Sequence, residues 1–232
     1  MKYPYILFDF DGTLSESGPG IIKAMKYGLT AVNIHENNEN TLRSFIGPPL
    51  NVQLQKIYHL SNDETLAVIT KFREQYDNQG VYDATLYDGI EHLIHTLHDK
   101  GHILCVASSK PYPLVHKLLD TFHLSAYFAV KIGSDPEDEM KNKAVFDQKS
   151  LIIKKTFQTL QDKGYIQTID DTFLSSAVMI GDKNYDIKGA KSNGITAIGV
   201  TWGYGDEAEL TTAGADYLCH TAKELETFLL NA

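Results

Sequence analysis

The chain has 232 residues, 43% of them hydrophobic, enough for one sizeable core and a smaller appended unit. Thirty Asp and Glu against 21 Lys and Arg give a net charge of −9, which argues against a nucleic-acid polymer or an acidic membrane surface as partner. An anionic small molecule stays open, because a bound cation and one or two lysines reverse the sign inside a cleft.

At the N-terminus, "YILFDFDGTL" reads as a strand that runs into two acids. Side chains alternate along a strand, so Asp9 and Asp11 face one way while Phe8 and Phe10 face the other. Two like charges so placed need a wet site, a shared proton or a cation between them. In isolation the pair also fits an ordinary strand edge with solvated acids. The acids arrive too soon after "MKYPYILF" for a signal peptide, and no later run approaches the roughly 20 apolar residues of a membrane span. A cytoplasmic protein with no membrane partner is expected.

The next 70 or so residues hold helical patterns and no convincing strand: "GIIKAMKYGLTAVN", "PLNVQLQKIYHL" after Pro48, and "NDETLAVITKFREQYDNQG", which opens on a Ser61–Glu64 capping-box signature and runs toward Gly80. The flanks "TLSESG" and "ATLYDG" are polar and contain glycine, as hinges require. The expected organisation is therefore a core of residues 1–14 and 87–232 with a helical cap over 15–86, a candidate lid.

From about residue 90 onward, apolar runs alternate with helical patterns, "EHLIHTLHDKG", "HILCVASS", "YPLVHKLLDTF", "YFAVKIG", then "SAVMIGD", "DIKGAKSNG" and "ITAIGV". That rhythm predicts a parallel sheet with crossover helices, an α/β doubly wound core completed by the N-terminal strand. Cys105 and Cys219 read as buried free thiols, and "SDPEDEM" as a solvated acidic loop. His92, His95 and His98 lie opposite the apolar face of Ile90, Leu93, Ile94 and Leu97, on a solvent side and not in a metal site. Trp202 and Tyr204 follow a strand end, where they either border the cleft or pack beneath a loop.

In a doubly wound sheet the site forms at the carboxyl ends of the strands. One strand ends in Asp9 and Asp11, a second in Ser108, Ser109 and Lys110, and a third in Asp182 with Asp186 four residues on. Several carboxylates without a matching His and Cys set suit a hard, oxygen-seeking cation, Mg²⁺ above all. With such an ion screening the charge, one aspartate can attack phosphorus while its neighbour shuttles a proton.

These strand ends resemble the ordered motifs of the haloacid dehalogenase superfamily, "DFDGTL" most specifically. The resemblance implies Asp9 as a nucleophile that forms an aspartyl-phosphate and Asp11 as general acid, then base. It implies Ser108 as a phosphate-binding hydroxyl in "LCVASS", and "GDKNYD" as the source of Asp182, a Mg²⁺ ligand, with Asp186 in support. Asp9 and the backbone carbonyl of Asp11 complete the protein's share of that coordination. A motif lysine is also implied, for which Lys141, Lys143 and Lys149 compete; Lys149 is selected because "LIIKKTFQTL" after it reads as the helix that should carry it. Gly12 and Ser109 join the phosphate-binding set.

"FIGPPL", "SSKP" and "GAKSNGITAIGVTWGYG" resemble the phosphoglycolate phosphatase-like and 5′-nucleotidase-like branch with a helical cap. Glu16 and Asp88 depart from that branch's usual Asp and Pro, both at the hinges. Gly47 in the cap loop, with Arg43 nearby, is a candidate substrate contact. The implied activity is a Mg²⁺-dependent phosphomonoester hydrolase acting on phosphoglycolate, a nucleoside monophosphate or a sugar phosphate. A phosphomutase is the nearest alternative and a non-catalytic binding protein on the same fold a further one. A dehalogenase fits less well, since it needs no proton-shuttling second acid. The oligomeric state is unspecified by any pattern in the chain.

Overall fold

The apolar runs of the second half assemble around the N-terminal strand. The structure, a computed structural model, describes residues 1–137 and 148–232. In chain order, β1 (Tyr5–Phe8) is followed by a two-residue strand β2 (Ser15–Glu16) and four helices, α1 (Gly18–Leu29), α2 (Glu39–Arg43), α3 (Leu50–Tyr58) and α4 (Asn62–Tyr76). The chain returns through β3 (Thr85–Leu86), α5 (Ile90–Asp99), β4 (Ile103–Pro111), α6 (Tyr112–Thr121) and β5 (Phe128–Ser134). It finishes with α7 (Gln148–Asp162), α8 (Asp171–Ser175), β6 (Ala177–Gly181), α9 (Asn184–Ser192), β7 (Thr196–Val200), α10 (Glu207–Ala213), β8 (Tyr217–Cys219) and α11 (Ala222–Asn231).

Six strands form one sheet in the order β5-β4-β1-β6-β7-β8, every neighbour parallel. β1 lies between β4 and β6, with Phe8 in register with Val106 and Ile180. The order of connection reverses there, so a crevice opens beyond the carboxyl end of β1, where Asp9 and Asp11 stand. Alternation along the strand splits the core. Ile6 and Phe8 pack into the cluster that holds Leu93, Leu97, Leu118, Leu225 and Leu229, while Leu7 packs on the other face with Ile153, Phe157 and Ile187. Both cysteines are buried and free. His92 and His98 are exposed and His95 half-buried; His95 and His98 pack on the Tyr127 ring, 4.4 and 5.1 Å between centroids.

Helices α1 to α4 sit beside the crevice, and Met25, Phe45, Leu54, Val68 and Phe72 continue the same apolar cluster as Phe8, Phe10 and Leu14. Two passages of chain join them to the sheet, paired as the antiparallel ribbon β2–β3 with Ser15 opposite Leu86 and Glu16 opposite Thr85. The α4 capping box is present: the Ser61 hydroxyl accepts from the Glu64 amide while the Glu64 carboxylate accepts from the Ser61 amide. The helix stops at Tyr76, short of Gly80, where a 3₁₀ turn, Gly80–Asp83, takes over.

That turn packs against the start of α1 at a contact only glycine allows. A Cβ on Gly20 would lie 1.9 Å from the Gly80 carbonyl oxygen. Gly20→Ala must part α1 from the turn, and the overlap outweighs the helix propensity gained. A melting temperature roughly 5–10 °C below wild type is expected by calorimetry, from a cost of about 2–3 kcal/mol; an unchanged value would contradict this account of the α1 seat.

Candidate active site

The two acids at the end of β1 are buried, and the fold gives each its own ammonium. Lys149 of α7 reaches Asp9 Oδ1 at 2.8 Å, Asp186 Oδ1 at 2.7 Å and the Ala107 carbonyl at 3.1 Å. Lys110, at the end of β4, donates to Asp11 Oδ1 and Oδ2 at 3.0 and 3.2 Å and to the Tyr76 hydroxyl of α4 at 2.7 Å. The lysines are 4% and 6% exposed. Burial works against both charges, yet the carboxylates of Asp186 and Asp9 around Lys149, and of Asp11 around Lys110, more than offset it and hold both ammoniums above their ordinary range.

The loop after β6 supplies two more buried acids, Asp182 and Asp186. Asp182 Oδ1 accepts from the Thr13 hydroxyl at 3.1 Å and Oδ2 from the Tyr204 amide at 2.8 Å. Asp186 Oδ2 accepts from the Lys183 amide at 3.0 Å. Gly12 permits the approach of this loop to β1: it sits at φ +85°, and a Cβ there would fall 2.2 Å from Asp182 Oδ2. Trp202 and Tyr204 do not line the cleft. Trp202 Nε1 bonds the Thr13 carbonyl at 3.0 Å, and the Tyr204 hydroxyl donates to Glu16 Oε1 at 2.7 Å and accepts from the Gly18 amide, also at 2.7 Å. Glu16 Oε2 accepts from the Tyr87 hydroxyl at 3.0 Å, so the hinge ribbon is tied to the loop that holds Asp182.

One oxygen from each of Asp9, Asp182 and Asp186 lies within 4.8 Å of the others. Burial and the neighbouring carboxylates push Asp182 well above the usual carboxylate range; burial pushes Asp186 up to about 6 against the pull of Lys149. The donor set is all oxygen and carries excess negative charge, which fits a divalent hard cation. The Asp11 carboxylate is not in this cluster, being taken by Lys110.

The cleft, a cavity of about 70 Å³, is lined from the sheet by Asp9, Asp11, Ser108, Ser109 and Lys110, and from the cap by Phe45, Gly47 and Pro48 of the α2–α3 loop and Phe72, Arg73 and Tyr76 of α4. Ser108 Oγ accepts from the Lys110 amide at 3.1 Å, which turns its hydroxyl at the strand end. Gly47 lines the cleft as expected, but Arg43 does not: it ends the short α2 and is exposed. The guanidinium at the cleft is Arg73, three residues before Tyr76 on α4, 3.6 Å from Asp77. Lys141 and Lys143 lie outside the described residues, as does part of "SDPEDEM".

Raised carboxyl pKa values make folding take up protons, so in metal-free protein the acids are tolerated below about pH 4 and cost stability as pH rises through about 6. A cation that binds the ionised acids reverses that cost. Added Mg²⁺ is expected to raise the melting temperature by roughly 5–10 °C at pH 8 when about a hundredfold above its Kd, and by much less at pH 5. Equal shifts at the two pH values would contradict the assignment of these acids as the cation site.

Residues 6–200 match the family model described as haloacid dehalogenase-like hydrolase. The chain is 30% identical to a 5′-nucleotidase of Pseudomonas aeruginosa over 94% of its own length and 92% of that protein's. A phosphoglycolate phosphatase of Vibrio parahaemolyticus is 25% identical, over 95% of this chain and 93% of its own. Among solved structures, one described as a predicted phosphatase from Clostridium acetobutylicum superposes with a TM-score of 0.86 at 34% identity, with the whole of each chain covered. With strand-end acids, two buried lysines and these likenesses together, the chain belongs to the haloacid dehalogenase-like hydrolases and is a phosphatase of that family.

Proposed function

We propose that the protein is a Mg²⁺-dependent phosphomonoester hydrolase that works through an aspartyl-phosphate on Asp9. The observation that carries this reading is the division of labour at the end of β1, with Asp9 held by Lys149 and Asp11 by Lys110 around the Ser108 hydroxyl. A divalent cation held by Asp9, Asp182, Asp186 and the Asp11 carbonyl would neutralise charge on the phosphoryl oxygens.

Lys149 fixes one oxygen of Asp9, so the other attacks phosphorus in line with the ester oxygen. A bond forms from Asp9 to phosphorus, the ester P–O bond breaks, and the departing alkoxide takes a proton from Asp11. In the second step Asp11 takes a proton from water, the resulting hydroxide attacks phosphorus, and the P–O bond to Asp9 breaks to release phosphate. Ser108, the Ser109 and Gly12 segments and Lys149 hold the transferring phosphoryl group. Residues 15–86 act as the lid, with Gly47 and Arg73 facing the substrate.

A cavity of about 70 Å³ is far below the roughly 300 Å³ at which ligand pockets usually begin, so the cap must move for any of the candidate esters to enter. Phosphoglycolate, a nucleoside monophosphate and a sugar phosphate form the panel, the first two also matching the names of relatives. Phosphate release from that panel is expected with Mg²⁺ and not with excess chelator. Asp9→Asn should cut turnover by roughly a thousandfold or more. Near-wild-type activity of Asp9→Asn would sink the nucleophile assignment, and isomer conversion without phosphate release would make the enzyme a mutase.

A further inference from the structure

The side chains that close the space between sheet and helices include one buried polar chain the chemistry above does not use. The Tyr76 hydroxyl, at the last residue of α4, receives a hydrogen bond from Lys110 Nζ, which in turn grips both oxygens of Asp11. All three residues are buried, Tyr76 3% exposed. The Tyr76 ring stacks on Phe72, 5.3 Å between centroids, and the ammonium stands 4.9 Å from the Tyr76 ring centre. Among the described residues, Tyr76 is the cap partner that Lys110 bonds, and Lys110 is the basic side chain on the Asp11 carboxylate.

We infer that Tyr76 is a positioning residue: through Lys110 it makes the aim of the Asp11 carboxyl depend on the cap being closed. The reading rests on Asp11 as the proton donor of the proposed hydrolase. With α4 in place, Tyr76 offers the oxygen that fixes the Lys110 ammonium, and the fixed ammonium holds Asp11 by the cleft. With α4 withdrawn, the ammonium loses its third partner and gains water, and its hold on the Asp11 rotamer then competes with solvent. A bond in a buried, low-dielectric gap has this leverage because the lysine has no solvent alternative while the gap is closed. Lys110 carries three protons, so it can stay on one Asp11 oxygen and on Tyr76 while the other Asp11 oxygen holds or receives the transferred proton.

Leaving-group dependence separates this role from a packing role. An alkoxide leaves with a proton from Asp11, whereas p-nitrophenolate departs without one. The phosphorylation step is measured as the burst of alcohol or p-nitrophenol release, with Mg²⁺. The substrates are p-nitrophenyl phosphate and whichever of 2-phosphoglycolate, adenosine 5′-monophosphate and glucose 6-phosphate the wild type hydrolyses fastest.

Tyr76→Phe is expected to lower the ratio of alkyl to aryl phosphorylation rates roughly tenfold. Lys110→Met should lower it at least as far, and Lys110→Arg should restore part of it. An unchanged ratio in Tyr76→Phe overturns the coupling, whether or not both rates fall together, and so does a wild type that hydrolyses only the aryl ester. Asp9→Asn in the same assay tells the two failures apart. If Asp9→Asn is inactive and the Tyr76→Phe ratio is unchanged, only the coupling fails; if Asp9→Asn turns over, the hydrolase mechanism itself fails.

Discussion

Four buried carboxylates and two buried ammoniums share one end of the sheet, and the rest of the molecule is arranged around that imbalance. Asp9, Asp11, Asp182 and Asp186 count as four negative charges against the two of Lys110 and Lys149, a formal residue of two. Buried charges are costly unless paired and hydrogen-bonded, and here each acid has a lysine, an amide or a hydroxyl on it. What stays uncompensated is the charge of one divalent cation. The fold therefore carries a local instability in the metal-free protein that a ligand ion would remove, as is common where function requires a strained site.

The topology is what makes that arrangement attainable. β1 lies between β4 and β6, so the acids after it face one lysine from each side: Lys110 continues β4, and Lys149 rises from α7 behind the sheet. The loop after β6 then comes close enough to β1 for Thr13 to donate to Asp182, an approach that Gly12 allows. The loop after β7, whose Tyr204 amide holds Asp182, sends the Tyr204 hydroxyl to Glu16 beside the ribbon β2–β3. Glutamate at this position is one methylene longer than the aspartate usual in the branch the sequence resembles, and it spans two tyrosine hydroxyls and the Gly18 amide.

Much of this was legible in the chain, for identifiable reasons. β1, β4, β5, β6 and β7 are buried parallel strands, which read as continuous apolar runs, and their alternation with amphipathic helices announced the doubly wound sheet. The strand-end rule then gathers the acids and Ser108 from the sequence alone. β2, β3 and β8 went unseen because strands of two or three residues have no periodicity to detect; their existence rests on pairing. The five-residue α2 was missed for the same reason, and its brevity explains the misplaced arginine. Arg43 stands at the exposed end of that helix, whereas Arg73 shares a face of α4 with Ile69 and Tyr76. Lys110 was visible at its strand end, but its two partners lie 99 and 34 residues away, a tertiary fact with no local signature.

A narrow cleft with an apolar wall on its cap side suits the first half of the proposed reaction better than the second. Phe45, Pro48, Pro49, Leu50, Phe72 and Leu114 wall the space above Asp9, so the lysine and carboxylate contacts act in a medium that strengthens them and keeps water from competing for the phosphoryl group. Hydrolysis of the proposed acyl phosphate then requires a water to reach the same phosphorus. On this reading the resolution lies in how the helices are attached. Their covalent link to the sheet is a ribbon two residues long on each side, while α4 touches the strand-end acids through the Tyr76–Lys110 bond. Lys149, Asp9 and Asp186 all belong to the sheet side and bond one another, so a displacement of α4 that admits water would leave them in place. In the proposed mechanism, the separation of the two lysines, one bonded to the cap and one to the sheet side, lets one site be closed for phosphoryl transfer and opened for hydrolysis.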